Sequence, residues 1–287
     1  MATLSPVALR RLGTVALIAG SSSLLAGCAG QAGANGLPSS PGITNHTGRI
    51  IDLWNYSWLA AIIIGVITWA LIMWAVAVHR KRKGDDKLPK QTRANVPLEL
   101  MYVAVPLIMI SVLFRWTVTD LEVIQDASGP ADVHVQAIGK QWAWDFNYLD
   151  DEVYSVGVQA TLTGEPGVEE TLPTLYLPVG ETVDITLDSR DVIHSFWVPA
   201  FLFKRDVVPG RTTHIQFIPE TEGTYQGKCA ELCGEYHAAM LFNVKVVPRA
   251  EYEDYMKSLR DAGQTGSIGL EYNRLQDPSV QPAGAEG

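Results

Sequence analysis

The chain has 287 residues, 47% of them hydrophobic, three cysteines and a formal net charge of -9. The charge is unevenly spread: residues 1–116 hold 11 basic and 4 acidic residues, a net +7, whereas residues 117–287 hold 11 basic and 27 acidic residues, a net -16. That division excludes one uniform domain and implies two regions in two environments.

The chain opens as a targeting signal. Arg10 and Arg11 precede an apolar run from Leu12 to Leu25 that ends in small residues, the layout of a secretory signal peptide over 1–27. It finishes on "LLAGC", residues 24–28, which resembles a bacterial lipobox with Cys28 as the lipid-modified residue. A chance cysteine behind an ordinary signal is the bland alternative. The following "AGQAGANGLPSSPG" reads as part of a flexible tether over 28–50.

A transmembrane hairpin is expected over 51–116. Its first helix, at about 54–78, has no charge from Tyr56 to Val78 and carries Trp54, Trp58 and Trp74 towards its ends, where interfacial aromatics are favoured. The second, at about 96–116, is weaker, since its uncharged part runs only from Leu100 to Phe114 and contains Pro106. Flanking charges can sit at the interfaces, and proline is tolerated in membrane helices. The loop 79–95 holds seven Lys/Arg, so the positive-inside rule places it in the cytoplasm. Both the N-terminus and everything after Trp116 are then external, which is also what a lipid on Cys28 requires.

From about Ala131 short β-branched and aromatic runs alternate with Gly, Pro and acidic turns. Seven or eight strands are expected within 117–248, as an all-β antiparallel sandwich or barrel. Within 249–287, residues 249–262 have helical spacing, and the end, "DPSVQPAGAEG", residues 277–287, reads as a disordered tail.

The chemistry concentrates in "GKCAELCGEYHAAM", residues 227–240. An external cysteine pair is by default a disulfide, and the three-residue spacer between Cys229 and Cys233 permits one that closes a small loop. A thioredoxin-like site needs one residue fewer and a βαβ context. A zinc site would leave Met240 idle. Two cysteines, His237, Met240 and the upstream His194 form a soft sulfur and imidazole set that favours copper on a β scaffold. On residues alone, copper and the disulfide both stay open.

The order His194, then Cys229-x-Glu231-x-Cys233-x3-His237-x2-Met240, closely resembles subunit II of the haem-copper cytochrome c oxidases, and the likeness runs from about Ile51 to Arg260. It implies a cupredoxin-like Greek-key domain behind the hairpin and a dinuclear copper A centre of two copper ions. Cys229 and Cys233 would bridge the coppers, His194 and His237 would be terminal ligands, and Met240 and the Glu231 carbonyl weak ones. The Glu231 carboxylate would help hold a magnesium ion shared with subunit I. "GKQWAWDF", residues 139–146, matches the family's aromatic segment and makes Trp142 the point where electrons enter, although Lys140 stands where the family often has histidine and Ala143 where it often has an aromatic.

"ELMYVAVP", residues 99–106, aligns with a segment whose glutamate, here Glu99, feeds a proton channel. The bland reading of Glu99 is an acid favourably placed at a helix start. The partners implied are subunit I, the other oxidase subunits, and cytochrome c or a respiratory complex that contains it; no nucleic acid is expected. The setting implied is a bacterial plasma membrane, with multiple spans, a lipid anchor and an extracytoplasmic C-terminal domain. Acidic external domains are common and most such charges are merely solvated, but cytochromes c often present basic faces, so Asp191 and Asp206 are candidates for docking, while Asp150, Asp151 and Glu152 equally fit a solvated turn.

Neighbouring readings fit less well. Quinol oxidase subunits have lost the copper ligands, a fused haem domain would need C-x-x-C-H, and nitrous oxide reductase needs more than six histidines. Tethered copper chaperones place their histidine downstream of the cysteine pair on an α/β fold. A structural lipoprotein held by a disulfide would leave His194, His237 and Met240 without a role.

Overall fold

A computed structural model of the full-length chain describes residues 36–81, 84, 91–163 and 168–270. The signal segment 1–27, the Cys28 anchor and residues 271–287 lie outside the described residues.

Two long helices come first, α1 (Thr47–Val78) and α2 (Val96–Gln125), and their apolar stretches face outward. Each is longer than the expected span. At 1.5 Å per residue α1 runs for about 48 Å, against a hydrocarbon core of about 30 Å. Charged residues end the apolar stretch but do not end a helix, whose backbone bonds continue until a cap intervenes. α2 starts at such a cap: the Asn95 side chain accepts from Leu98 N, and Glu99 Oε1 accepts from Asn95 N at 2.9 Å. The extra turns at the other end dock against the β domain. Thr47, Ile51 and Asp120 are buried there, and Arg49 Nη1 pairs with Asp120 Oδ1 at 2.7 Å, tying α1 to α2.

Ten strands follow among the described residues: β1 (Val133–Lys140), β2 (Ala143–Tyr148), β3 (Val153–Ser155), β4 (Thr174–Pro178), β5 (Val183–Ser189), β6 (His194–Val198), β7 (Phe203–Val207), β8 (Thr213–Phe217), β9 (Gly223–Cys229) and β10 (Leu241–Val247). They make two five-stranded sheets, ordered β3-β2-β1-β5-β8 and β4-β10-β9-β6-β7. The sandwich is as expected, but its pairing is mixed: β1 with β5 and β4 with β10 run parallel. The two strands beyond the expected count are β3, which is only three residues long, and β7. β7, "FKRDV", carries three consecutive charges and lies at a sheet edge, so it shows no apolar alternation.

Between the sheets Val135, Phe146, Ile185, Leu187, Leu177 and Val244 are fully buried, the principal apolar driving force for this domain. β2 is buried on both faces, because its outer face has a cover of its own. After helix α3 (Arg249–Asp261), residues 264–270 return across it. Asn147 exchanges two hydrogen bonds with the Ile268 backbone, at 2.8 and 3.0 Å, and Tyr154 N donates to Gln264 O at 3.1 Å. Residues 264–270 are therefore a strap over β2, with no counterpart in the expected elements.

The expected tether is likewise fixed at its C-terminal end. Thr44 bridges Pro219, Asn45 N donates to Ile218 O, and Ile218 N donates to the Asn45 side chain at 2.9 Å. Glycine and proline in this stretch report only that it has no strand or helix period. Its backbone bonds go to a segment more than 170 residues away.

Candidate metal centre

The site sits at one end of the second sheet. His194 opens β6, Cys229 closes β9, and a loop containing a short 3-10 turn (His237–Ala239) leads to Met240 just before β10. Cys229 N donates to Met240 O at 3.1 Å, and Ala230 N to Ser195 O at 3.0 Å, so sheet hydrogen bonding fixes both ends of the ligand loop.

The side chains converge. Cys229 Sγ and Cys233 Sγ lie 3.9 Å apart, and His194 Nδ1 lies 3.9 Å from Cys229 Sγ. The Cys229 thiol also donates to Glu231 O at 3.2 Å. On the other side, His237 Nδ1 is 3.5 Å and Met240 Sδ 3.8 Å from Cys233 Sγ. One ligand atom from each of His194, Cys229 and Cys233 falls within 4.8 Å of the others. Both thiols are free and buried, at a separation nearly twice the ~2.05 Å of a disulfide bond. The default disulfide reading is therefore set aside. Two thiols, two imidazoles, a thioether and a peptide oxygen fit soft, copper-type ligation.

The supporting groups account for the geometry. Asp191 Oδ1 lies 2.8 Å from His194 Nε2, which turns Nδ1 towards Cys229, the arrangement expected of a carboxylate orienting a metal-binding imidazole. Asp191 Oδ2 accepts from Gln141 N at 2.7 Å. Burial alone would raise the Asp191 pKa, but the bonds from His194, Gln141 N and Val192 N outweigh it and hold the carboxyl below its ordinary value. Burial would lower His194, yet Asp191 and Cys229 together raise it. Burial also opposes ionisation of Cys229, but its contacts with His194, Glu231 and Ser195 lower its pKa overall. Cys233 is pushed up to about 12 by burial and by the neighbouring Cys229.

Gly139 lies under the His194 ring, where an added Cβ would meet Cδ2 at 2.9 Å. Gly234 has φ +124°, and a Cβ there would meet the Trp142 indole at 3.1 Å.

Trp142 sits in the β1–β2 turn, half-buried. Its indole N–H donates to Cys233 O at 3.2 Å, and Gln141 Nε2 donates to the same oxygen at 2.6 Å. Tyr236 meets the Trp142 ring edge to face, with centroids 4.9 Å apart. Gln141 and Tyr236 escaped the sequence reading, although Tyr236 stands directly before His237 in the ligand loop. The backbone carbonyl of Glu231 is at the thiols, whereas the residue itself is exposed. Glu99 is in the first turn of α2, at the end away from the β domain.

Of the acids considered for docking, Asp206 and Glu152 are exposed, whereas three have partners within the domain. Asp191 holds His194, Asp150 accepts from His134 N at 2.7 Å, and Asp151 accepts from Arg260 at 2.7 Å and from Tyr252 Oη at 3.1 Å.

Residues 133–247 match the family described as cytochrome c oxidase subunit II, periplasmic domain. A probable cytochrome c oxidase subunit 2 of Streptomyces avermitilis is 43% identical over 266 residues, covering 81% of this chain and 81% of the relative. The cytochrome c oxidase subunit 2 of Mycobacterium bovis is 31% identical, over 91% of this chain and 85% of its own. The chain is also similar to the crystal structure of the periplasmic domain of cytochrome oxidase subunit II from Bradyrhizobium japonicum, at 29% identity and TM-score 0.43, over 47% of this chain and 97% of that one. With identity at this level over most of its length, and a His/Cys/Cys cluster at the head of its β-sandwich, the chain belongs to the cytochrome c oxidase subunit 2 family.

Proposed function

We propose that this membrane-anchored chain is the electron-accepting subunit of a haem-copper terminal oxidase. It takes single electrons from a cytochrome c and passes each one to haem in subunit I, where dioxygen is reduced to water with proton pumping. The observation that carries this reading is the convergence of His194, Cys229, Glu231 O, Cys233, His237 and Met240 around two free thiols.

In this reading Cys229, Cys233, His194, His237, Met240 and Glu231 O would together hold two copper ions. Bound copper would supply a one-electron carrier whose charge is shared over two thiolates, so little has to move between redox states. The protein supplies rigidity: strands β6, β9 and β10 fix the ligand backbone, and Asp191 fixes the His194 ring. Trp142 is the point of arrival for each electron, supported by its partial exposure and its indole bond to the Cys233 carbonyl.

The exposed Glu231 side chain is free to hold a magnesium ion together with subunit I. Glu99, near the basic loop, is the candidate mouth of a proton path on the cytoplasmic side. Cys28 carries the lipid anchor, and the β domain faces the outside of a bacterial plasma membrane. Purifying the oxidase with Cys229→Ser or Cys233→Ser tests the core of this proposal. Each variant should lose copper and cytochrome c oxidation while subunit I still co-purifies; a serine variant that keeps both would overturn it.

A further inference from the structure

Behind the metal-binding side chains lies a second polar cluster. Asp145, on β2, is completely buried and accepts from Lys140 Nζ at 2.7 Å, Arg190 Nη1 at 2.6 Å and Gly157 N at 2.8 Å. The Lys140 and Arg190 side chains are only 7% and 2% exposed. Arg190 uses its remaining donors on Gly269 O in the C-terminal strap, at 2.9 and 3.2 Å. Lys140, the departure from the family pattern, therefore points inward and offers no charge to solvent.

Burying two cations on one carboxylate is a costly way to stabilise a fold, and well-packed apolar groups often do at least as well. The position of the cluster suggests a different use. Lys140 is bonded to Gln141 and Trp142 through the chain, and Arg190 to Asp191. Arg190 N donates to Gly139 O at 3.0 Å, and Gln141 N donates to Asp191 Oδ2 at 2.7 Å. The β1–β2 turn and the β5–β6 loop are thus joined once backbone to backbone, once from a backbone N–H to the Asp191 carboxylate, and once through Asp145. One of these loops carries Trp142, and the other leads into His194.

We propose that Lys140, acting through Asp145 and Arg190, is a positioning residue that locks Trp142 and His194 into one rigid unit and, with Arg190, offsets the Asp145 and Asp191 carboxylates there. The inference rests on the function proposed above, since that function gives Trp142 and His194 their roles. A positive charge near the centre favours its reduced form, so Lys140 raises the midpoint potential.

The test uses the full chain with Lys140→Met and Lys140→Arg. Lys140→Met keeps the side-chain volume and leaves Asp145 paired with Arg190. Asp145→Asn would strand two buried cations and endanger folding. In the copper-free chain, Lys140→Met should speed hydrogen exchange at the Trp142 indole N–H by about tenfold, and Lys140→Arg should restore protection. In the copper-loaded oxidase, Lys140→Met should lower the midpoint potential and reduce kcat with cytochrome c while KM holds. Unchanged indole exchange and unchanged potential, with only a lower melting temperature, would overturn the proposal. Failure of the unmodified chain to bind copper would count against the proposed function instead, and the exchange measurement would still decide the positioning role.

Discussion

Asp191 holds His194 at 2.8 Å through Nε2, leaving Nδ1 3.9 Å from the Cys229 sulfur. The same carboxylate accepts from Gln141 N, next to Trp142, so one acid links a metal-binding imidazole to the aromatic turn. Asp191→Asn keeps an acceptor but removes the charge. Copper affinity should fall by about 10–100-fold, as for other carboxylates behind metal-bound histidines, with the fold intact. Chelator competition on the purified chain measures it.

The Trp142 indole reaches the Cys233 carbonyl at 3.2 Å and packs against Tyr236. Trp142→Phe keeps a ring but loses that N–H. Stopped-flow reduction by ferrous cytochrome c should slow by roughly tenfold or more, equivalent to at least about 1.4 kcal/mol of barrier. The copper optical spectrum should stay unchanged, which would separate loss of the electron path from loss of the metal.

Two glycines predict different failures. A Cβ at Gly157 would collide with Trp144 O, a backbone atom that cannot step aside, so Gly157→Ala should cost about 3 kcal/mol or prevent folding. At Gly139 the obstacle is the His194 ring at 2.9 Å, a side chain that can tilt. Gly139→Ala should therefore alter the EPR spectrum of the copper-loaded chain more than its melting temperature. Denaturant melts and EPR on both variants check the contrast.

The tyrosines where α3 meets the sandwich set a limit on the alkaline side. Burial raises Tyr148, Tyr252 and Tyr255 above the ordinary value of 10.0, and the Asp151 charge adds to the rise at Tyr252. A folded pKa above the unfolded one means that the folded state holds the proton more tightly. The stabilisation is complete below about pH 10 and is lost as the pH climbs from there towards the folded values. Denaturant midpoints should be steady from pH 8 to 9.5 and fall above pH 10, with these three tyrosines ionising only on unfolding. Tyrosinate absorbance followed during titration measures this.

The cluster of His194, Cys229, Cys233, His237 and Met240 was legible because one short loop and one strand start carry it, so sequence spacing stands in for spatial proximity. The membrane helices were legible from apolar length, and their docked outer turns were not, since burial of Thr47 and Asp120 depends on the β domain. Lys140 stood out in the sequence only as a departure from the family's usual histidine. Its burial is decided by Asp145, five residues on, and by Arg190, fifty residues on, which no local pattern displays. The strap over β2 was hidden for the same reason: Ile268 is ordered by Asn147, 121 residues earlier. β7 was missed because an edge strand has no need of an apolar alternation.

The central claim is that Cys229 and Cys233 are halves of a dinuclear copper site and not a disulfide. The most direct test is copper analysis with EPR on the purified full-length chain, alongside thiol titration of the metal-free form. The account predicts two coppers per folded chain, a mixed-valence signal delocalised over both, and two free thiols at 229 and 233 once the metal is removed under reducing conditions. A folded chain that takes up no copper with both thiols free, or one that holds a single localised copper, would contradict it.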